Sequence, residues 1–207
     1  MAITYPRTPP ATPAPLAVEW GPLSVVGVNS SPLTLGAEKF RFAGRRLDVA
    51  VAYPSMTRAT GDPWAAFLAS LDGPFGTFLF GPQGDGATPK GAATGTPLVN
   101  GANQVGSSLV TDGWSFTITG ILKAGDWIQL GTGALSRLHI ILQDANSDGA
   151  GNATFDIWPQ LRESPADNSA IVVASPKGVF RLKSRPQWAI GLAYRYEPLS
   201  FEAEEDF

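Results

Sequence analysis

The chain has 207 residues, of which 43% are hydrophobic and only 16% are charged. This composition excludes disorder driven by excess charge, and the length is sufficient for one large domain or two small ones. The 23 glycines and 18 prolines exclude a bundle of long helices, because both residues destabilise helix interiors. The composition therefore predicts a protein made of strands and turns.

Charge and residue usage exclude several classes of function. A net charge of −3 leaves no positive excess to neutralise phosphates, so we expect no nucleic-acid recognition. The chain has no cysteine and one histidine, which excludes disulfides, thiolate metal sites and sites with two imidazoles. Neither a secretory signal nor an apolar run of ~18 residues is apparent, so we expect no membrane span. These features fit a protein that resides in a reducing cytoplasm or is assembled there.

Residues 1–15 contain five prolines, which predict an extended arm in the polyproline II conformation. The arm is either a plain linker or an extension that lies across a neighbouring subunit. In the second case its reach of ~45 Å, from ~3.1 Å per residue, is sufficient to cross onto that subunit.

Apolar and polar residues alternate over much of the segment 16–53, which predicts an antiparallel sheet. The candidate strands are 16–20, 23–28, 38–42 and 47–53. A helix is predicted over 62–73, with Asp62 as the N-cap and Pro63 at the first helical position. The apolar stripe that should face the sheet consists of Trp64, Phe67, Leu68 and Leu71. A short strand is predicted directly afterwards, over 76–81.

The Gly- and Pro-rich segment 81–97 interrupts this pattern and predicts a long loop or linker, with a domain boundary near residue 91. Short candidate strands then recur at about ten-residue spacing through 97–183, which is typical of a small barrel or sandwich. Alternation resumes over 188–203 and predicts a strand that returns to the first unit. The final acidic residues are predicted to be a solvated tail.

The sequence therefore predicts a mainly β protein in three parts. Residues 1–15 form the proline-rich arm. Residues 16–90 and 186–207 form a discontinuous β domain that carries the helix 62–73. Residues 97–183 form an inserted, small β-barrel domain.

The loop 144–152 begins like a calcium-binding loop. Asp144, Asn146 and Asp148 have side-chain oxygens of the kind that bind calcium, and Gly149 lies in the turn. An EF-hand also needs a bidentate glutamate at the twelfth position, and that position is Phe155. Both sides of the loop are predicted strands rather than helices. A hairpin turn is therefore the favoured interpretation, and a cation site is the alternative.

Two further residues are candidates for chemistry. Asp126 lies in a turn that enters a predicted strand, and a catalytic role would require a partner acid or base within reach. His139 lies in the predicted strand 136–145, where we expect it on the strand surface, and no motif supplies the nucleophile of a catalytic triad. The sequence contains no G-x-S-x-G, P-loop or Rossmann motif. We therefore predict no catalytic, cofactor-binding or metal-ligating residue, with a hydrolase of dispersed carboxylates as an alternative.

The tryptophans either fill the core or stack on sugar rings. Trp64 lies on the apolar stripe of the predicted helix, and Trp127 and Trp158 have apolar neighbours in predicted strands. Core or a subunit interface is favoured for the set, and a carbohydrate platform is the alternative. The six are Trp20, Trp64, Trp114, Trp127, Trp158 and Trp188.

Several stretches together resemble a family of phage proteins. In 62–91 a predicted helix ends in a small-residue turn and is followed by an FGTFLF strand and a Gly/Pro loop. The second carrier is the series 101–114, 122–131, 138–162 and 175–182. In their order and spacing, these stretches resemble a distal tail protein, the ring-forming subunit at the tail tip of long-tailed bacteriophages.

The resemblance implies a β-sandwich-like ring domain with one helix and an inserted barrel of the OB type. It implies a homo-oligomer, a hexameric ring, that joins the tail tube protein to the tail hub and to fibre or receptor-binding proteins. It also implies a place in the virion after assembly in the host cytoplasm, no enzyme activity and no cofactor. A carbohydrate-binding or receptor-binding tail module is the alternative.

Overall fold

The computed structural model describes residues 3–207, which fold into eleven strands and one α-helix. The strands form two sheets, one of five strands and one of six. The predicted fold class is therefore confirmed: the protein is mainly β, with a helix packed on the first sheet and a second sheet shaped as a barrel. No helix within residues 3–207 is long and apolar enough to cross a membrane.

The elements follow one another along the chain. The strands are β1 (Ala17–Ser30), β2 (Ala37–Ala52), β3 (Thr77–Phe80), β4 (Gly95–Val99), β5 (Gly106–Trp114), β6 (Trp127–Leu130), β7 (Arg137–Ile141), β8 (Ala153–Leu161), β9 (Ile171–Val172), β10 (Gly178–Leu182) and β11 (Ser200–Glu205). Helix α1 spans Arg58–Ser70, between β2 and β3. Short 3-10 turns lie at Gly84–Ala87, Gly133–Leu135 and Leu192–Tyr194.

The first sheet has the strand order β1-β2-β11-β10-β3, with antiparallel neighbours. One face is apolar because alternate residues of its strands are buried under α1 and the barrel, whereas the other face carries ion pairs such as Lys183–Asp48. The buried residues include Val49, Val51, Phe78, Phe80, Phe180, Leu182 and Ala203. The four short strands predicted over 16–53 are in fact two long ones, β1 and β2, which form a hairpin.

The second sheet has the order β4-β5-β8-β7-β6-β9 and nearly closes on itself. Its two edge strands are joined through main-chain contacts: Leu98 bridges Ala170, and the Val99 N–H donates to the Ser169 carbonyl at 2.9 Å. The interior is filled by apolar side chains. They include Leu109, Trp114, Ile128, Phe155 and Ile157.

All strands of the barrel lie between β3 and β10 along the chain. Strand β10 lies within the predicted insert 97–183, but it lies between β11 and β3 in the first sheet. The reason is that Phe180 and Leu182 bury in the core of the first sheet. Where the chain leaves and re-enters that sheet, a Cβ on Gly81 would lie 1.9 Å from the Pro176 carbonyl, so only glycine fits there. The predicted division into domains stays a prediction.

The helix begins earlier than predicted, at Arg58 rather than near Asp62, and ends at Ser70. Its first turn forms because the Thr57 carbonyl accepts hydrogen bonds from the N–H groups of Thr60 and Gly61. Asp62 is therefore inside the helix, where its carboxylate accepts a hydrogen bond from the Tyr196 hydroxyl at 2.7 Å. The predicted apolar stripe is confirmed, because all four of its residues are buried. They are Trp64, Phe67, Leu68 and Leu71.

Residues of the N-terminal arm make hydrogen bonds with their own chain. The Arg7 N–H donates to the Thr77 carbonyl at 2.9 Å, and the Arg7 carbonyl accepts from the Leu79 N–H at 2.8 Å. The Trp64 indole donates to the Thr12 carbonyl at 2.8 Å. The arm therefore covers the free edge of β3, which would otherwise expose unpaired backbone groups.

The Tyr5→Phe variant tests this docking of the arm. The Tyr5 hydroxyl donates to the Ser70 carbonyl at 2.7 Å, across the end of α1. Removing the hydroxyl deletes one hydrogen bond and keeps the ring, so we expect the free energy of unfolding to fall by about 1 kcal/mol. Urea denaturation measures the change. An arm that does not lie on the chain in solution would give a variant as stable as the wild type.

The C-terminal segment also departs from the prediction. Of the predicted strand 188–203, only residues 200–203 belong to a strand, β11, and the residues before them form an irregular loop. The acidic tail is not solvated as a whole, because β11 lies in the middle of the first sheet and Glu205 is only 1% exposed.

Candidate functional site

The most prominent surface feature is the outer part of the β1–β2 hairpin, residues 24–45, which we call the projecting hairpin. Strand β11 pairs with β2 only from Asp48 to Ala52, so the first sheet does not continue beside the projecting hairpin. Seven residues of β1 at ~3.4 Å each give a projection of ~24 Å. Within residues 3–207, no other strand pairs with the outer edge of β1 or with residues 37–44 of β2.

The projecting hairpin exposes apolar side chains along its length. At its tip, Leu33 and Leu35 are 93% and 86% exposed. The other exposed apolar residues are Val25, Val26, Val28, Phe40 and Phe42. A contiguous apolar surface of this kind, with two open strand edges, marks an interaction site or a risk of aggregation.

Its charges are mostly positive. Lys39 and Arg41 are exposed and Arg45 is buried, and these three cations outnumber Glu38. None of the three lies in a salt bridge with a residue of 3–207. Desolvation, together with the nearby Arg41, lowers the pKa of Arg45. An apolar partner surface that also carries carboxylates would therefore complement the projecting hairpin best.

A second exposed apolar surface lies in the loop before β11, and we call it the C-terminal loop, residues 188–195. Two main-chain hydrogen bonds close it, from the Gly191 N–H to the Arg195 carbonyl and from the Glu197 N–H to the Ala189 carbonyl. Its exposed side chains are Trp188, Ile190, Leu192 and Tyr194. Because Ser200 pairs with Ala52, this loop lies at the end of the sheet opposite the hairpin tip.

Asp126 is a structural carboxylate. Its oxygens accept hydrogen bonds from the N–H groups of Lys90 at 2.7 Å, Gly91 at 3.0 Å and Lys123 at 2.8 Å. The residue is buried, and three donors occupy most of its capacity as an acceptor. It fastens the predicted linker to the barrel, which leaves the carboxylate poorly placed to act as a base.

The loop 144–152 uses its oxygens to hold its own shape. Asp144 accepts from the Ala124 N–H at 2.8 Å, and Asn146 accepts from the Gly120 N–H at 2.7 Å. Asp148 accepts from two N–H groups and from the Asn152 amide, and these hydrogen bonds lower its pKa. Among the residues that the structure describes, no three His, Asp or Glu side chains cluster as metal ligands would. These contacts favour the hairpin turn over the cation site.

Millimolar calcium is therefore expected to leave the melting temperature unchanged, because the loop has no twelfth-position carboxylate and its oxygens already accept hydrogen bonds. Differential scanning fluorimetry with calcium, and with magnesium as the matched control, measures this. A rise of several degrees with calcium alone, lost in Asp144→Ala, would contradict the prediction.

His139 is buried, with 4% of its surface exposed, so the expectation of a strand-surface position is wrong. Strand β7 is covered on both faces: Leu138 packs in the core of the first sheet, and Ile141 packs in the barrel. The Nδ1 atom of His139 lies 2.8 Å from the Pro159 carbonyl. Burial lowers the pKa of His139 to about 4, which keeps the ring neutral at pH 7.

Most tryptophans are core residues. Trp64 and Trp114 are buried, and Trp20, Trp127 and Trp158 pack against the core of the first sheet, with 4.9 Å between the rings of Trp20 and Trp127. Trp188 is 42% exposed. The predicted core role therefore holds for five of them, which favours that interpretation over a carbohydrate platform.

Two features brought together by the fold were not anticipated. Alternation over 23–28 and 38–42 indicated strands, but nothing local indicated that both project beyond the sheet. The other feature is a cavity of about 310 Å³ at one end of the barrel, lined by Arg137 and His139 among others.

Comparison with models of known protein families and with curated proteins found no match for the chain.

Proposed function

We propose that this chain is a structural subunit that assembles through its projecting hairpin into a ring at the tip of a bacteriophage tail. The observation that carries the proposal is the hairpin itself, with its apolar side chains and its two unpaired strand edges. The tail location, the sixfold symmetry and the tube, hub and fibre partners rest on the sequence resemblance alone.

The geometry favours a contact between unlike surfaces. The two open edges of the projecting hairpin belong to different strands and face opposite directions, so each copy can pair with a neighbour on either side. Repeated contacts between unlike surfaces close into a ring when the rotation between copies allows it. A ring of such hairpins would bury the apolar residues that the isolated chain exposes.

The residues considered for catalysis support a structural role. Asp126 and Asp148 hold the backbone of loops through hydrogen bonds, and the Nδ1 atom of His139 binds a carbonyl. None of them lies beside a nucleophile in a recognisable arrangement. Catalytic activity is therefore not part of the proposal.

The double variant Phe40→Asp/Phe42→Asp tests the proposal. It places two carboxylates on the projecting hairpin, outside both cores, so the melting temperature should hardly change. We expect the wild-type chain to form closed oligomers in native mass spectrometry and the variant to be mainly monomeric, because the interface would then bury unpaired charges.

The matched control is Phe75→Asp/Phe116→Asp, which changes two phenylalanines that are more exposed than Phe40 and Phe42 and lie outside the hairpin. This control should assemble like the wild type. A wild-type chain that stays monomeric at every concentration, or a hairpin variant that still forms rings, would contradict the proposed assembly.

A further inference from the structure

The cavity at the end of the barrel is a candidate ligand site. It has a volume of about 310 Å³ and lies among the ends of β6, β7 and β8 and the loops that follow β6 and β8. Apolar side chains form much of its wall, with a few polar groups between them. The lining residues relevant to ligand binding include Leu135, Arg137, His139, Leu161 and Pro165. The mouth of a barrel is a common location for small-molecule sites.

Strand register explains why Arg137 and His139 face this cavity. Arg137 pairs with Leu130, and His139 pairs with Ile128. Side chains of directly paired residues lie on the same face of a sheet. Because Leu130 and Ile128 belong to the barrel core, the side chains of Arg137 and His139 also lie on the interior face of the barrel.

His139 offers a hydrogen-bond acceptor to the cavity. A carbonyl oxygen can only accept, so the Nδ1 atom that faces the Pro159 carbonyl at 2.8 Å carries the proton. In the neutral ring the Nε2 atom then has a free lone pair. No residue within 3–207 donates a hydrogen bond to it, so it can accept one from the hydroxyl of a ligand.

Arg137 offers a positive charge without a counter-ion. One of its nitrogens, Nη1, donates to the carbonyls of Ala134 at 3.2 Å and Ser136 at 3.3 Å. No carboxylate within residues 3–207 forms a salt bridge with it, whereas Arg162, at the same cavity, is paired with Glu205 at 2.7 Å. Glu163 also lines the cavity but forms no salt bridge with Arg137, so the guanidinium is available to an anionic group of a ligand.

The size of the cavity limits the size of the ligand. Arg137 and His139 are two residues apart on one strand face, with Cα atoms ~7 Å apart, so one small ligand can reach both side chains. A volume of about 310 Å³ is at the small end of ligand pockets, which begin at roughly 300 Å³. It suits a single ring rather than an oligosaccharide. Leu135, Leu161 and Pro165 can contact the apolar face of such a ring.

We propose that this cavity binds one hexuronic acid unit, with its carboxylate on Arg137 and a ring hydroxyl donating to Nε2 of His139. The site is independent of the proposed ring, because every residue that forms it belongs to one chain. It would give this chain, whatever its assembly, an affinity for a single uronic acid.

The single histidine makes the binding experiment direct, because histidine labelled with ¹³C and ¹⁵N gives signals from His139 alone. The full-length chain is titrated at pH 7 with sodium galacturonate and sodium glucuronate. Galactose, glucose and sodium acetate are the comparators. We expect a saturable shift of the His139 signals with at least one uronate, an affinity at least tenfold lower for both neutral sugars, and no saturable shift with acetate.

Variants then assign the carboxylate contact. Arg137→Gln should lower the uronate affinity at least tenfold, and Arg137→Lys, which keeps the charge, should retain most of it. Arg185→Gln, an exposed arginine outside the cavity lining, should bind like the wild type. Only variants whose melting temperature equals that of the wild type are compared, which excludes unfolding as the cause of a lower affinity.

The proposal is overturned by any of three results. The first is the absence of a saturable shift with either uronate up to tens of millimolar. The second is equal affinity for a uronate and its neutral sugar, which would remove the role of the carboxylate. The third is a folded Arg137→Gln variant with unchanged affinity. These results do not depend on oligomeric state, so they are separate from the test of the ring.

Discussion

Replacing Arg162 by methionine is expected to lower the free energy of unfolding by about 3–5 kcal/mol. Its Nη2 atom lies 2.7 Å from Oε2 of Glu205, and it also donates to the Arg45 carbonyl. Glu205 is 1% exposed, and its Oε1 has no hydrogen-bond partner within residues 3–207. Without the guanidinium, the buried carboxylate would keep only the hydrogen bond from the Leu47 N–H, at 3.3 Å. Since Arg162 directly follows the barrel strand β8 and Glu205 ends β11, the loss would also weaken the contact between the barrel and the first sheet.

Urea denaturation followed by circular dichroism measures this change. Arg58→Met is the matched control: it removes the partner of Asp62 in a pair exposed to solvent, so we expect a change of about 0–1 kcal/mol. In Arg162→Met/Glu205→Met both charges are absent, so most of the lost stability should return. A loss below about 1 kcal/mol in the single variant would mean that water reaches Glu205 and that the pair does not join the two sheets.

Local patterns were sufficient to predict much of the fold. The apolar stripe of α1 and the alternation over 47–53 each lie within a few consecutive residues, and both segments bury the faces that the patterns indicated. The strand predicted over 76–81 corresponds to β3. The start of α1 was missed because Asp62 and Pro63 look like an N-cap and a first helical residue. Tertiary contacts extend the helix by one turn instead, with Gly61 packed closely against the Tyr196 ring.

Features that depend on distant parts of the chain were not predictable in the same way. The short apolar strand β10 fits either sheet by its own pattern, and only its pairing with β3 and β11 assigns it. By sequence alone, Glu205 belongs to a predicted solvated tail. Only the fold brings it beside Arg162, which is 43 residues away in the chain.

Exposure is a tertiary property as well. The residues of the projecting hairpin alternate like those of a buried sheet, and no local signal distinguishes a strand whose partner belongs to the same chain from one whose partner is absent. The cavity needs three strands and two loops to form, so neither Arg137 nor His139 could be recognised as part of it. By contrast, the absence of known catalytic motifs can be recognised directly in the sequence.

The free energy of unfolding should decrease as the pH falls from about 6.5 to about 4, because His139 binds a proton more readily in the unfolded chain than in the folded protein. Burial lowers the pKa of His139 to about 4 in the folded protein, against about 6.5 in an unfolded chain. Between these values the unfolded chain binds more protons than the folded one, so the free energy of unfolding falls with pH, by up to about 3 kcal/mol in total. The charges of Arg137 and Arg162 act in the same direction as burial, whereas Glu205 and the hydrogen bond to Pro159 oppose it.

Carboxylates also titrate at the acidic end of this range, so the difference from His139→Gln isolates the contribution of histidine. Glutamine does not ionise, and the variant should lose less stability than the wild type between pH 7 and pH 4.5, whatever its stability at pH 7. The His139 NMR signal gives the folded pKa independently, because the chain has no other histidine. A folded pKa close to 6.5, or identical pH profiles for the two proteins, would mean that water solvates the ring and that the end of the barrel opens in solution.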